Sequence, residues 1–149
     1  MTEHNIQYIP AEKIIETVEC VYYSKAPGAT KEMISSYLKA NAEYARRASI
    51  MALQLGFIKQ DKKILGTIDS NDLIKANREQ RSIIFRKHLQ KFEPFVLFVT
   101  LISKGNSIED AVRKVKVIYS ITASEKDIRF AFLNWGSYSQ LLKYNEKND

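Results

Sequence analysis

The stretch ATKEMISSYLKANAEYARRASIMALQLGFIKQDKK, residues 29–63, decides how the chain folds. Thr30 stands where a helix N-cap is preferred, and Met33, Ile34, Tyr37 and Leu38 recur at the spacing of one helical face. Asn41 caps a second helix, along which Ala45, Ala48, Met51, Ala52 and Leu55 form a narrow stripe of mostly small residues. Small residues allow close approach to another helix and leave the opposite face free. Gly56 stops the helix. Beyond it the short β-favouring pairs Phe57-Ile58 and Ile64-Leu65 flank the polar KQDKK, which reads as a hairpin with a charged tip.

Working outward, KAPGAT (residues 25–30) is a turn signal, and before it Ala11 to Ser24 carries Ile14, Ile15, Val18, Val21 and Tyr22 on one helical face. Pro10 suits the first turn of that helix. Glu12, Glu16 and Glu19 fall on another face, with no histidine or aspartate at ligand spacing, and read as a solvated surface rather than a metal site. On the other side, Ser70, Asn71 and Asp72 are candidate caps for one helix carrying Leu73, Ile74, Ile83, Ile84, Phe85 and Leu89. It holds the densest basic block: Arg78, Arg81, Arg86, Lys87 and Lys91. Pro94 must break or kink it. The following FVLFVTLIS is apolar almost all round and is expected to be the central buried helix of the C-terminal half. Ser107 and Ser124 then cap two further helices, and the polar tail YNEKND is expected to fray.

Composition narrows the class. Among 149 residues, 45% hydrophobic and 27% charged, only Gly 5 and Pro 3 occur, too few for many short strands with tight turns. A mainly α protein fits. The formal charge of +6 favours an anionic partner. The single cysteine, Cys20, excludes an internal disulfide framework and a cysteine-based zinc site, and its apolar setting suits a buried small hydrophobe. The first residues lack a basic start and apolar core of the secretory kind, and FVLFVTLI falls far short of the ~20 residues that cross a bilayer. These features describe a soluble, cytoplasmic chain (nucleoid-associated in a bacterium) with no membrane contact. His4 and His88 are far apart, and no phosphate loop, nucleophile elbow or paired-histidine motif occurs. The expectation is therefore no enzyme, no cofactor and no metal, with His88 a surface or phosphate-facing residue.

The order helix, turn, short helix, turn, helix, glycine, basic hairpin between Ala11 and Ile68 resembles the winged-helix family of DNA-binding domains. ALQLGFI is similar to that family's helix ending, where an apolar residue precedes glycine and two apolar residues start the wing. The resemblance covers residues 1–69 and implies a winged helix-turn-helix that recognises duplex DNA. The chemistry of the residues points the same way. Asn41, Glu43, Tyr44, Arg46, Arg47 and Ile50 are expected to project from the leading half of the third helix, away from its buried stripe. Arg46 and Arg47 can donate bidentately to guanine or phosphate, and Asn41 and Tyr44 can reach phosphates or bases. Thr30 and Lys31 would sit at the DNA backbone, at a helix start that attracts anions. Lys59, Lys62 and Lys63 would track an adjacent groove from the wing. Between Lys39 and Lys63, six basic residues against two acidic ones hold a local +4 of the chain's +6.

Residues 70–149 are expected to form a second helical, degenerate winged-helix-like unit. Counted back from glycine, Ile128, Ala131, Phe132 and Trp135 before Gly136 correspond to Ala48, Met51, Ala52 and Leu55 before Gly56. Glu125 and Asp127 at its third helix repel phosphate, so this unit is expected to serve the core or to pair chains into a homodimer. The expected role is a transcriptional regulator or accessory DNA-binding factor. The alternative is a winged-helix protein–protein interaction module or subunit of a larger complex, with the basic helix from Arg78 to Lys91 docking an acidic protein partner.

Overall fold

Thr30 and Asn41 act as the sequence predicts: the Thr30 hydroxyl accepts the Met33 N–H at 3.2 Å, and the Asn41 carboxamide oxygen accepts the Tyr44 N–H at 2.8 Å. The computed structural model describes residues 5–24, 28–60, 64–66 and 68–142. It is mainly helical, with eight helices and one hairpin among the described residues. The hairpin tip, the turn at 25–27, His4 and the tail from 143 lie outside the described residues.

Helices α1 (Ala11–Ser24), α2 (Lys31–Leu38) and α3 (Ala42–Gln54) pack on one another. From α1, Ile14, Ile15, Val18 and Val21 are buried and Cys20 lies with them. The stripe predicted for α2 is half right: Ile34 and Leu38 are buried, whereas Met33 and Tyr37 face outward. On α3, Ala45, Ala48, Met51 and Ala52 are all fully buried, so the alanine stripe does bring this helix close to its neighbours. Gly56, at φ +84°, ends it: the Phe57 and Gly56 amides reach back to the Ala52 and Leu53 carbonyls, each at 3.0 Å.

The hairpin follows at once. Strand β1 (Ile58–Gln60) pairs antiparallel with β2 (Ile64–Gly66), with Lys59 opposite Leu65. Ala29, just before α2, bonds the far edge of β2 through its amide and carbonyl, at 2.9 and 3.2 Å to Ile64. Buried Ala29, Ile58 and Ile64 root this small sheet in the core.

The single helix expected from Ser70 onward is two helices, α4 (Ile68–Lys75) and α5 (Arg78–Leu89). Ser70, Asn71 and Asp72 fall inside α4 instead of capping it. Asn77 makes the break: its side chain accepts the Gln80 N–H at 2.9 Å while the Gln80 side chain accepts the Asn77 N–H at 3.3 Å.

Of the basic block, Arg78, Lys87 and Lys91 are exposed, while Arg81 and Arg86 turn inward to cap other helices. Arg81 donates to the Leu73 and Ile74 carbonyls at the end of α4, each at 3.1 Å. His88 bonds the Leu55 carbonyl at the end of α3 and stacks on Phe57, ring centroids 3.9 Å apart. Since a carbonyl only accepts, that bond requires a proton on Nδ1. His88 is thus a structural side chain rather than a surface or phosphate-facing one. At the end of α8 (Glu125–Tyr138), Ser82 donates to the Tyr138 carbonyl and Arg86 to that of Ser139, both at 2.7 Å. The unsatisfied carbonyls of a helix end are natural acceptors for such donors. Replacing Arg86 with alanine should therefore cost about 2 kcal/mol, the worth of a hydrogen bond to a charged donor. Thermal denaturation of Arg86→Ala would read this as a drop of about 3 °C per kcal/mol. An unchanged midpoint would show that the contact is dispensable.

Pro94 separates α5 from α6 (Glu93–Ser103), but α6 is not the central buried helix. Only Pro94, Phe95 and Phe98 are buried along it, and Val96 is 40% exposed. It flanks α7 (Ile108–Ile118) and sets Phe95 and Phe98 against Phe132 of α8, at 5.4 and 5.0 Å. The centre is occupied instead by α1 and by α8, whose Ile128, Ala131, Phe132 and Trp135 are fully buried. Ser107 and Ser124 cap α7 and α8 as expected. The glycine correspondence between the two halves does not hold in detail. Gly136 lies within α8, where an added Cβ would stand 2.5 Å from Leu142 Cδ1, so it makes room for the chain folding back and does not end the helix.

One continuous core joins the two halves. Trp135 Nε1 donates to the Ile9 carbonyl at 2.7 Å, and the Ala11 amide donates to Asn134 Oδ1 at 2.7 Å. The same Asn134 bond supplies an acceptor to an amide at the open start of α1.

Candidate nucleic-acid interface

Burying Ala45, Ala48, Met51 and Ala52 turns the opposite face of α3 to solvent, and Glu43, Arg46 and Arg47 stand on it, all exposed. The three form one cluster. Arg46 Nε lies 3.0 Å from Glu43 Oε2 while its Nη2 closes on Oε1, a two-toothed fork, and Arg47 Nε reaches the same Oε1 at 3.3 Å. Spacings of three and four residues put these side chains side by side. Hydrogen bonding from Arg46, with its charge and the Arg47 contact adding, lowers the Glu43 carboxyl to about 2, so it is an anion at any physiological pH. The same bond raises the Arg46 guanidinium.

Other cations are exposed on the elements adjoining α3 in sequence. Lys31, the first residue of α2, is exposed beside the Thr30 cap. Lys39, in left-handed conformation at φ 54°, is exposed in the turn between α2 and α3. Lys59 is exposed on β1. Thr30 and Asn41 are present at the helix starts, but their acceptor oxygens are occupied by the caps. Lys62 and Lys63 lie outside the described residues.

Tyr44 is the residue the sequence misplaces. It does not project from α3 but is half-buried against the core, where burial raises its phenol and Lys13 of α1 opposes that rise. Ile50 is likewise half-buried. Counting from the first buried alanine, Tyr44 sits one residue before Ala45 and one turn before Ala48, at the border of the stripe, so a large ring there folds over onto α1. What the sequence reading missed is the role of Glu43. Its spacing to Arg46 and Arg47 was the available signal, because carboxylates three and four residues before arginines form helix-face ion pairs.

Elsewhere, a groove of about 880 Å³ opens between the N-terminal segment and α8, lined in part by Tyr8, Glu12, Lys126, Phe130 and Asn134. The Tyr8 and Phe130 rings lie 5.5 Å apart there, and Asn134 is engaged with the Ala11 amide. Among the described residues no three His, Cys, Asp or Glu side chains gather where a metal ion could be held. Cys20 is buried, and burial raises its thiol. Among the described residues no helix is long and apolar enough to cross a membrane. No family model, no curated protein and no solved structure matches this chain.

Proposed function

We propose that this protein is a winged-helix protein that binds duplex DNA, with α3 as the recognition helix and the β1–β2 hairpin as the wing, in the role of a transcriptional regulator or accessory DNA-binding factor. The observation that carries the reading is the solvent-facing Arg46 and Arg47 on the leading turns of α3, with Lys31, Lys39 and Lys59 also exposed on the elements adjoining it in sequence. An α-helix fits the major groove, and cations on its flanks meet phosphates. The element order supports the same reading. Three helices, a strand residue at Ala29 before α2, and a hairpin after α3 with Ala29 on the β2 edge follow the plan of a winged helix. The alternative, an acidic protein partner docked on α5, would rest on exposed Arg78, Lys87 and Lys91, since Arg81, Arg86 and His88 are committed to helix ends.

The test is a polarisation titration with mixed-sequence duplex at two salt concentrations. If three to five of these cations meet phosphates, the double-logarithmic salt slope is about −2.7 to −4.5. Between roughly 50 and 200 mM salt, affinity then falls by about 40- to 500-fold. Absence of duplex binding at the lower salt would end the reading.

A further inference from the structure

Free in solution, the two arginines offered to DNA are already held by a carboxylate of their own helix. Glu43 grips Arg46 through both oxygens and shares one of them with Arg47, and all three side chains are open to solvent. A carboxylate in that fork makes the same paired contacts that a DNA phosphate would make. Any phosphate that claims the arginines must displace Glu43 and then lie beside an unpaired anion. Simple backbone binding is thereby weakened at the point where the helix is most basic.

Base edges differ from phosphate in one respect: some of them donate. In the major groove a G·C pair presents two acceptors, guanine O6 and N7, next to one donor, the cytosine N4 amino group. The Arg46–Glu43 pair presents the complement, guanidinium donors next to a carboxylate acceptor, on one helix face and already joined. An A·T pair puts thymine O4, an acceptor that repels the carboxylate, where cytosine offers its amino group, and puts a donor, adenine N6, where guanine offers O6 to the guanidinium. We infer that Glu43 is the specificity-determining residue of α3, which with Arg46 reads a G·C pair in the major groove and excludes the arginines from indiscriminate phosphate binding.

This inference rests on the duplex-binding reading above, and its test separates the two. The probes are three fluorescent duplexes of equal length with alternating G·C, inosine·C or A·T pairs, titrated with the intact chain. Inosine·C keeps the major-groove edge of G·C but lacks the minor-groove amino group of guanine. The wild-type chain should bind G·C and inosine·C alike, and both about tenfold more tightly than A·T. Glu43→Ala should bind the A·T duplex severalfold more tightly than wild type and lose the preference. Glu43→Gln, which removes the charge and keeps an acceptor, should also gain affinity for A·T. Glu43 is exposed on the first turn of α3, so neither change disturbs the core; circular dichroism of both variants checks this. If wild type binds duplex but shows no G·C preference, or Glu43→Ala fails to tighten on A·T, the inference falls and the duplex-binding reading stands. A G·C preference lost on inosine·C also overturns it, because the discrimination then comes from the minor groove. If wild type binds none of the three at low salt, the duplex-binding reading itself fails.

Discussion

Trp135→Ala should lower the stability of the whole chain by about 4 kcal/mol, the usual loss when a large aromatic is cut from a core. Against the roughly 5–15 kcal/mol that holds a domain folded, this leaves little. Two effects add. The fully buried indole packs with Phe132 and Phe92, centroids 5.8 and 6.4 Å away, and alanine leaves a cavity there. Its Nε1 also satisfies the Ile9 carbonyl, which the variant leaves without that donor. Trp135→Phe separates the two, since phenylalanine fills most of the space and donates nothing. It should cost about 1–3 kcal/mol, the penalty of an unmet buried acceptor. Urea denaturation followed by circular dichroism measures both variants; Trp135 is the chain's one tryptophan, so its fluorescence serves the wild type only. A loss under about 1 kcal/mol for Trp135→Ala would show that the two halves are not held together at this point.

The paired change Arg46→Ala and Arg47→Ala should reduce duplex affinity by about 30-fold while leaving the unfolding midpoint essentially unchanged. Both side chains are exposed ion-pair members, a class that contributes little to folding. Two lost phosphate contacts would also flatten the salt slope by about 1.8, whereas lost contacts to base edges would leave it unchanged. The loss should exceed that of two isolated contacts, since Glu43 would remain facing the DNA as an uncompensated anion. Lysine at both positions is the informative control. It keeps the charge but not the planar fork, so it should preserve the salt slope and lose base discrimination. Unchanged affinity in the double alanine variant would remove α3 from the interface.

The N-terminal elements were legible because each rule involved acts within one or two turns. Thr30 and Asn41 cap, the stripe of Ala45, Ala48, Met51, Ala52 and Leu55 is buried, and Gly56 at positive φ terminates, whatever the rest of the chain does. Most of what the sequence does not disclose depends on distant partners. The α4–α5 break is the exception, a local signal: Asn77 and Gln80 form a capping pair inside one periodic apolar run. The run Phe95 to Ile102 is apolar on every side, yet burial needs neighbours, and α6 lies at the edge with its back uncovered. Arg81, Arg86 and His88 look like a solvated basic face until one sees which helix ends face them. In the candidate site, the outward arginines follow from the position of the alanines. Tyr44 does not, because at the border of a stripe the ring's size and the nearness of α1 decide its direction.

Five of the side-chain contacts between separate segments share one lopsided chemistry. Arg81, Ser82, Arg86, His88 and Trp135 each present a side-chain donor to a main-chain carbonyl, at Leu73 and Ile74, Tyr138, Ser139, Leu55 and Ile9 respectively. Every amino acid carries a carbonyl, so evolutionary drift at the receiving positions cannot erase these bonds so long as the backbone path persists. The giving positions have no such freedom. A library of single substitutions selected for folding should therefore retain variety at Tyr138 and Ser139, subject only to space, and purge it at Ser82 and Arg86.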